Sequence, residues 1–136
     1  MEYPVIIISE KSPSKKDPIY IYVRETVKEA TSTKSSKINE YWFDRVIQDT
    51  FDQNKFNLIS YYIFRKLKKK KKLSTAKIIK FLYLCLRIQL EGDKKFFEEV
   101  NNHEEHILVY LNYNQSKTKG LSNIVRKIRL ANIKLI

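Results

Sequence analysis

The chain has 136 residues, of which 43% are hydrophobic, so it can bury one core and is not disordered as a whole. Lys and Arg number 27 against 15 Asp and Glu, a formal net charge of +12. Such an excess attracts nucleic acid, anionic lipid headgroups or acidic partners, and it also keeps a protein soluble. The single cysteine excludes an intrachain disulfide, and the 2 Gly and 3 Pro favour long helices over a turn-rich β-fold.

The N-terminal segment has β-branched, Pro and Ser character without a helical period, so we expect an extended or flexible arm over residues 1–16. Its apolar run, Val5–Ile8, is shorter than the core of a signal peptide and far shorter than a membrane span of ~20 residues. Any membrane contact is therefore expected to be peripheral. The helical domain is expected over residues 17–136.

Apolar residues at steps of three and four predict three helices in the first half of that domain. Asp17 as N-cap and Pro18 at the first helical position begin one helix, which the segment TSTKSS (31–36) ends. A second helix is predicted over about 37–51. A third, over about 53–69, has Asp52 as its N-cap and leads into the basic segment KLKKKKKL.

The fourth helix, predicted over about 75–91 with Ser74 as N-cap, is apolar almost all round. Such a helix must be covered on several sides, and Arg87 and Gln89 interrupt it too strongly for a membrane span. We therefore expect it to be the buried central helix. Gly92 is expected to end it in the left-handed conformation.

Three further helices are predicted in the last third of the chain, over about 94–101, about 103–112 and from near Ser122 onwards. The segment NQSKTKG (114–120) is predicted to be a loop. About seven helices of modest length around one all-apolar helix indicate an all-α fold, a compact superhelix rather than a four-helix bundle.

Signatures of catalysis are missing from the sequence. The two glycines, Gly92 and Gly120, are too far apart for a phosphate-binding loop, and Cys85 lies in the most apolar helix, where a thiol is usually inert. His103 and His106 form the only metal-like cluster, but their spacing is three rather than four and a third ligand is not evident. We therefore predict a protein that is not an enzyme and has no catalytic residue, metal site or cofactor.

Eight short segments of this chain, taken in order, are characteristic of one known family. They are Tyr22–Arg24, Val27–Ser32, Asn39–Phe51, Phe56–Ile59, Ile63–Leu67, Ala76–Cys85, Phe96–Phe97 and Gly120–Arg129. Their order and spacing resemble the epsin N-terminal homology (ENTH) domain family of the ENTH/VHS superfamily, over about residues 18–135. Val27–Ser32 resembles the signature that closes the family's first helix, and Ala76–Cys85 is most similar to the fourth helix of the tepsin-type domains.

The resemblance implies a right-handed superhelix (α-solenoid) that acts as a non-catalytic adaptor or accessory module of vesicle coats, associated with clathrin or an adaptor complex. The implied partners are coat or adaptor proteins and an anionic phosphoinositide membrane surface. We expect a monomer in the cytoplasm, peripheral on vesicle, endosomal or trans-Golgi membranes. Epsins insert an extra amphipathic N-terminal helix, which residues 1–16 do not resemble, so no insertion is expected.

By the same resemblance, basic residues of the third and fourth helices fall where epsins contact lipid headgroups. The lysine run beside them would add about 5 kcal/mol near an anionic leaflet, at ~1 kcal/mol per residue. The alternative for this run is a solvated, mobile loop. The predicted headgroup residues are Arg65, Lys68, Lys69, Lys70, Lys71, Lys72, Lys77 and Lys80.

A second functional hypothesis is a superhelical domain that binds a peptide or RNA, of the type that interacts with the polymerase tail. The positive charge alone would serve it, because phosphate neutralisation needs only Lys and Arg. The sequence has no recognisable nucleic-acid motif and no aromatic platform interleaved with Arg. Nucleic acid is therefore not the expected partner.

Overall fold

The computed structural model describes residues 12–69, 72–111 and 119–135, and these ranges contain helices but no strand. The prediction of an all-α fold with about seven helices is therefore confirmed. The predictions for residues 1–11, for Lys70 and Lys71 and for most of the loop at 114–120 lie outside the described residues. The helices are α1 (Pro18–Ala30), α2 (Glu40–Asp49), α3 (Gln53–Lys68), α4 (Thr75–Glu91), α5 (Phe96–Asn102), α6 (Glu104–Leu108), a 3-10 turn (Val109–Leu111) and α7 (Lys119–Leu135).

Three helices begin where their capping residues predict. Asp17, Asp52 and Ser74 each accept a hydrogen bond from a backbone N–H two or three residues further on, at the start of α1, α3 and α4. Each such bond satisfies a donor that the helix leaves unpaired and contributes about 1 kcal/mol. The predicted starts of these helices are thus confirmed.

Two other helices begin at different residues from those predicted. α2 begins at Glu40 and not near residue 37, because the Asn39 side chain caps it by accepting the N–H of Trp42 at 3.3 Å. α7 begins at Lys119, before the predicted start at Ser122. The Ser122 hydroxyl donates instead to the carbonyl oxygen of Leu111 at 2.9 Å, so it ties the helix to the preceding 3-10 turn.

α4 is the central helix of the core, as its composition predicts. It packs along α7 and also contacts α2, α3 and α5, so most of its apolar side chains are covered, whereas Leu90 near its C-terminal end is 63% exposed. Each fully buried Leu, Ile or Phe contributes roughly 1.5–3 kcal/mol through the hydrophobic effect. The α4 side chains that are at most 1% exposed are Ile78, Phe81, Leu82, Leu84, Cys85 and Ile88.

Arg87 connects α4 to α2 through a cluster of carboxylates. Its guanidinium lies 3.0 Å from Glu40, 3.4 Å from Asp44 and 2.6 Å from Glu91, and its side chain is only 13% exposed. Hydrogen bonds to Glu91 are the main reason that the pKa of Arg87 is raised. The residue that interrupts the apolar pattern of the sequence therefore orients α2 on the central helix.

Gly92 ends α4, but the predicted left-handed conformation is wrong. Its φ is −95°, in the extended region that any residue adopts. Glycine is needed here because of crowding: a Cβ would lie 2.8 Å from Oγ1 of Thr50 and 2.9 Å from the carbonyl oxygen of Ile88. Thr50 Oγ1 also accepts the N–H of Asp93 at 3.0 Å, so it cannot move away without losing that bond.

We expect Gly92→Ala to lower the free energy of unfolding by about 1–3 kcal/mol, the usual cost of overpacking. Gly120→Ala is the matched control, because a Cβ there meets only Ile79 Cδ1 at 3.9 Å. In α7 that change should be neutral or stabilising by up to ~1 kcal/mol. Urea denaturation of both variants measures the difference, and equal midpoints would contradict the crowding argument.

Candidate functional site

Basic residues from three helices come together where α1 and α3 end and α4 begins. The pKa of Lys66 is lowered first by partial burial and then by the charges of Lys28, Lys69, Arg65 and Lys77. Charges that shift one another's protonation lie within short range in a folded protein. We call the surface formed by Lys28, Lys66, Lys69 and Lys77 the basic corner.

Two lysines of the basic corner, Lys66 and Lys77, carry positive charge that no described carboxylate neutralises. Partial burial and then the neighbouring Lys28 and Lys80 lower the pKa of Lys77. In the part of the chain that the structure describes, neither Lys66 nor Lys77 is within 4.0 Å of a carboxylate. Half-buried ammonium groups that repel one another are stabilised by an anion, and phosphate oxygens accept several such hydrogen bonds.

Lys66 is held at the corner by an aromatic ring. Its Nζ lies 5.4 Å from the ring centroid of Tyr62, whose ring is buried beneath it. A cation over an aromatic face gains roughly 0.5–1 kcal/mol at a half-exposed site, so the side chain is partly ordered before any ligand arrives. A ligand that binds the Lys66 ammonium group would therefore cause little further loss of side-chain entropy.

The helical twist divides the predicted headgroup residues between two surfaces. Arg65 and Lys68 line a groove beside α3, whereas Lys69 and Lys77 belong to the basic corner. Lys72 is exposed on the connector to α4. Lys70 and Lys71 lie outside the described residues, so their predicted role stays a prediction.

Lys80 differs from the other predicted headgroup residues because it is buried, with only 6% exposure. Its Nζ donates to three backbone carbonyl oxygens, those of Ser32 at 2.5 Å, Ser35 at 2.6 Å and Lys37 at 3.1 Å. These bonds close the α1–α2 loop over α4. The ammonium group therefore already has three acceptors within the protein, and we do not count Lys80 among the residues of the basic corner.

Lys28 and Lys66 are not among the headgroup residues predicted from the sequence, although the sequence contains a signal for each. Lys66 directly follows Arg65 and lies three residues before Lys69, the spacing that places two side chains on one helix face. Lys28 lies inside the segment that resembles the end of the family's first helix. Only the packing of α1 against α3 shows that the two residues share a surface.

Cys85 and His103, which the sequence offers as candidates for catalysis or metal binding, are packed against other side chains of the core. Cys85 is fully buried, and burial raises the pKa of its thiol. The ring of His103 stacks on Phe64 with centroids 4.4 Å apart, and burial lowers the pKa of this histidine. Over residues 12–69, 72–111 and 119–135, no group of three His, Cys, Asp or Glu side chains is placed to hold a metal.

No helix in these ranges is long and apolar enough to cross a membrane.

Comparison with known proteins identifies the family. The family model of the ENTH domain matches residues 21–135, which is most of the chain. No curated protein and no solved structure matches the chain. The match extends from the fourth residue of α1 to the end of α7, so it includes the helices that form the basic corner. The chain therefore belongs to the ENTH domain family, whose members are all-helical adaptor-type modules of membrane trafficking.

Proposed function

We propose that this ENTH domain is a non-catalytic accessory module of vesicle coats that binds phosphoinositide headgroups through the basic corner. The observation that supports this most is the convergence of Lys28, Lys66 and Lys77 from three helices with no carboxylate beside Lys66 or Lys77 among the described residues. Lys28 has only a distant partner, with Glu25 at 4.0 Å. A phosphorylated inositol ring carries several charges in a small volume, which suits such a cluster.

The expected attachment is reversible and peripheral. Four lysines near an anionic leaflet contribute about 4 kcal/mol, at ~1 kcal/mol each. This corresponds to roughly a thousandfold increase in membrane partitioning. Binding of this strength depends on salt and on headgroup charge, so it suits a module that joins and leaves a membrane.

We further propose that the domain is of the tepsin type, docks coat or adaptor proteins, and works as a monomer on the cytoplasmic face of vesicle, endosomal or trans-Golgi membranes. The similarity of Ala76–Cys85 to the tepsin-type fourth helix supports the subfamily. The family as a whole supports the trafficking role.

Backbone amide NMR spectra, recorded while inositol trisphosphate is added, test the site directly. We expect the largest shift changes around Lys28, Lys66 and Lys77, and much smaller ones around Arg126 and Arg129, which are exposed on α7. Inositol monophosphate, with fewer charges, should give weaker changes at the same residues. Changes centred on α7, or saturable changes with a short RNA and none with the inositol phosphates, would contradict the proposal.

A further inference from the structure

A groove of about 1130 Å³ runs along the exposed face of α3. The segment Ser12–Asp17 forms one wall, and residues of α5 together with His103 form the other. The hydroxyl of Tyr61 donates to Ser12 Oγ at 3.0 Å and so holds the first wall against the helix. The groove is a different surface from the basic corner, because none of the four lysines that define the corner lines it.

One end of the groove is positively charged. Arg65 and Lys68 line it, and neither makes an ion pair within the described part of the chain. His103 also lines the groove, and its pKa is lowered first by burial and then by the charge of Lys68, against the opposing charge of Glu99. Two acids also line the groove, and each already accepts a hydrogen bond: Glu99 accepts one from Ser60 Oγ at 2.7 Å, and Asp17 accepts one from the N–H of Ile19 at 2.9 Å. This end therefore offers two cationic side chains to an acidic ligand.

The rest of the groove offers apolar surface and amide groups. Leu58 and Tyr61 are half-buried at its floor, where an apolar side chain of a ligand would lose contact with water. The exposed side chains of Asn54, Asn57 and Asn102 provide amide donors and acceptors along the walls. Amide side chains of this kind pair with the N–H and C=O groups of an extended peptide backbone.

We propose that this groove docks an extended peptide from a partner protein, with acidic side chains beside Arg65 and Lys68 and an apolar side chain over Leu58 and Tyr61. Charge complementarity sets the direction of the peptide, because the two Lys and Arg side chains that line the groove, Arg65 and Lys68, are both near the C-terminal end of α3. A lipid headgroup would use the two cations but none of the apolar and amide surface. The proposal stands whether or not the basic corner binds lipid.

Fluorescence anisotropy with two labelled pools of ten-residue peptides tests the proposal at physiological salt. One pool carries two Asp or Glu followed by Leu or Phe at varied spacing, and in the other pool Lys replaces the acids. The groove variant is Arg65→Glu with Lys68→Glu. Its matched control, Arg126→Glu with Arg129→Glu, makes the same change of charge on the exposed face of α7, outside both the groove and the basic corner.

We expect the wild-type chain to bind only the acidic pool, and the groove variant to bind it at least roughly tenfold more weakly, as the loss of two charge contacts implies. The matched control should stay within about threefold, because only screened, longer-range charge has changed. Asn57→Trp fills the groove without changing its charge and should weaken binding similarly, with circular dichroism showing that the variant is folded. Failure of the acidic pool to bind, equal binding of both pools, or equal losses in the two double variants would overturn the proposal.

Discussion

Replacing Lys80 with methionine is expected to lower the free energy of unfolding by about 2–4 kcal/mol. Methionine keeps an unbranched stem of similar length in the core but removes the ammonium group. The carbonyl oxygens of Ser32, Ser35 and Lys37 then lose a charged donor. Each hydrogen bond from a charged donor contributes ~1.5–3 kcal/mol to stability. In the variant, water can donate to the carbonyl oxygens at the exposed end of the loop, so part of this contribution is kept.

Lys77→Met is the matched control for this prediction. Lys77 lies one helical turn earlier on α4 and is half-exposed, and its pKa is lowered first by partial burial and then by the charges of Lys28 and Lys80. Its removal should change stability by less than about 0.5 kcal/mol, as is usual for a surface substitution. Urea denaturation followed by circular dichroism measures both variants. Equal stabilities for the two would show that the three carbonyl contacts contribute nothing.

Reversing the charge of Lys66 and Lys77 together is expected to abolish binding to phosphoinositide vesicles. Each lysine loses about 1 kcal/mol of attraction to the anionic surface and gains a similar repulsion. The sum is ~4 kcal/mol, or roughly a thousandfold in binding. The fold should tolerate the change, because two glutamates would remove the repulsion that now acts between Lys66, Lys77 and Lys28.

The control for charge reversal is Arg126→Glu with Arg129→Glu, an equal change of net charge on the exposed face of α7. This pair should weaken vesicle binding by less than about tenfold, because charges away from the contact act only through a screened field. Vesicle flotation at several salt concentrations compares the two double variants. If both lose binding to the same extent, net charge and not the basic corner controls the association.

The parts of the fold that the sequence predicted correctly depend on near neighbours. Asp17, Asp52 and Ser74 begin their helices through bonds to the next two or three residues, so a local pattern is enough to find them. The central position of α4 follows from its apolar residues alone, because a helix that is apolar almost all round must be covered on several sides.

The predictions that the structure corrected or reassigned concern contacts between distant segments. Gly92 looked like a left-handed helix end, but its need for glycine comes from Thr50, in a segment packed against it. Lys80 is predicted from the resemblance to contact a lipid headgroup, but the loop after α1 folds over it and its ammonium group donates to backbone carbonyls of that loop. The basic residues from Arg65 onwards are consecutive in the sequence, but successive residues of a helix point in different directions. Arg65 therefore lines the groove beside α3, whereas Lys66 belongs to the basic corner.

Co-sedimentation with vesicles tests the central claim, headgroup binding by the basic corner, most directly. Wild-type chain is mixed at ~0.15 M salt with neutral vesicles, with phosphoinositide vesicles and with phosphatidylserine vesicles of equal total charge. We predict pelleting with the phosphoinositide vesicles, less with phosphatidylserine and none with neutral lipid, because the clustered lysines match a compact, multiply charged headgroup. Equal pelleting with the two anionic vesicles, or no pelleting at this salt concentration, would contradict the account.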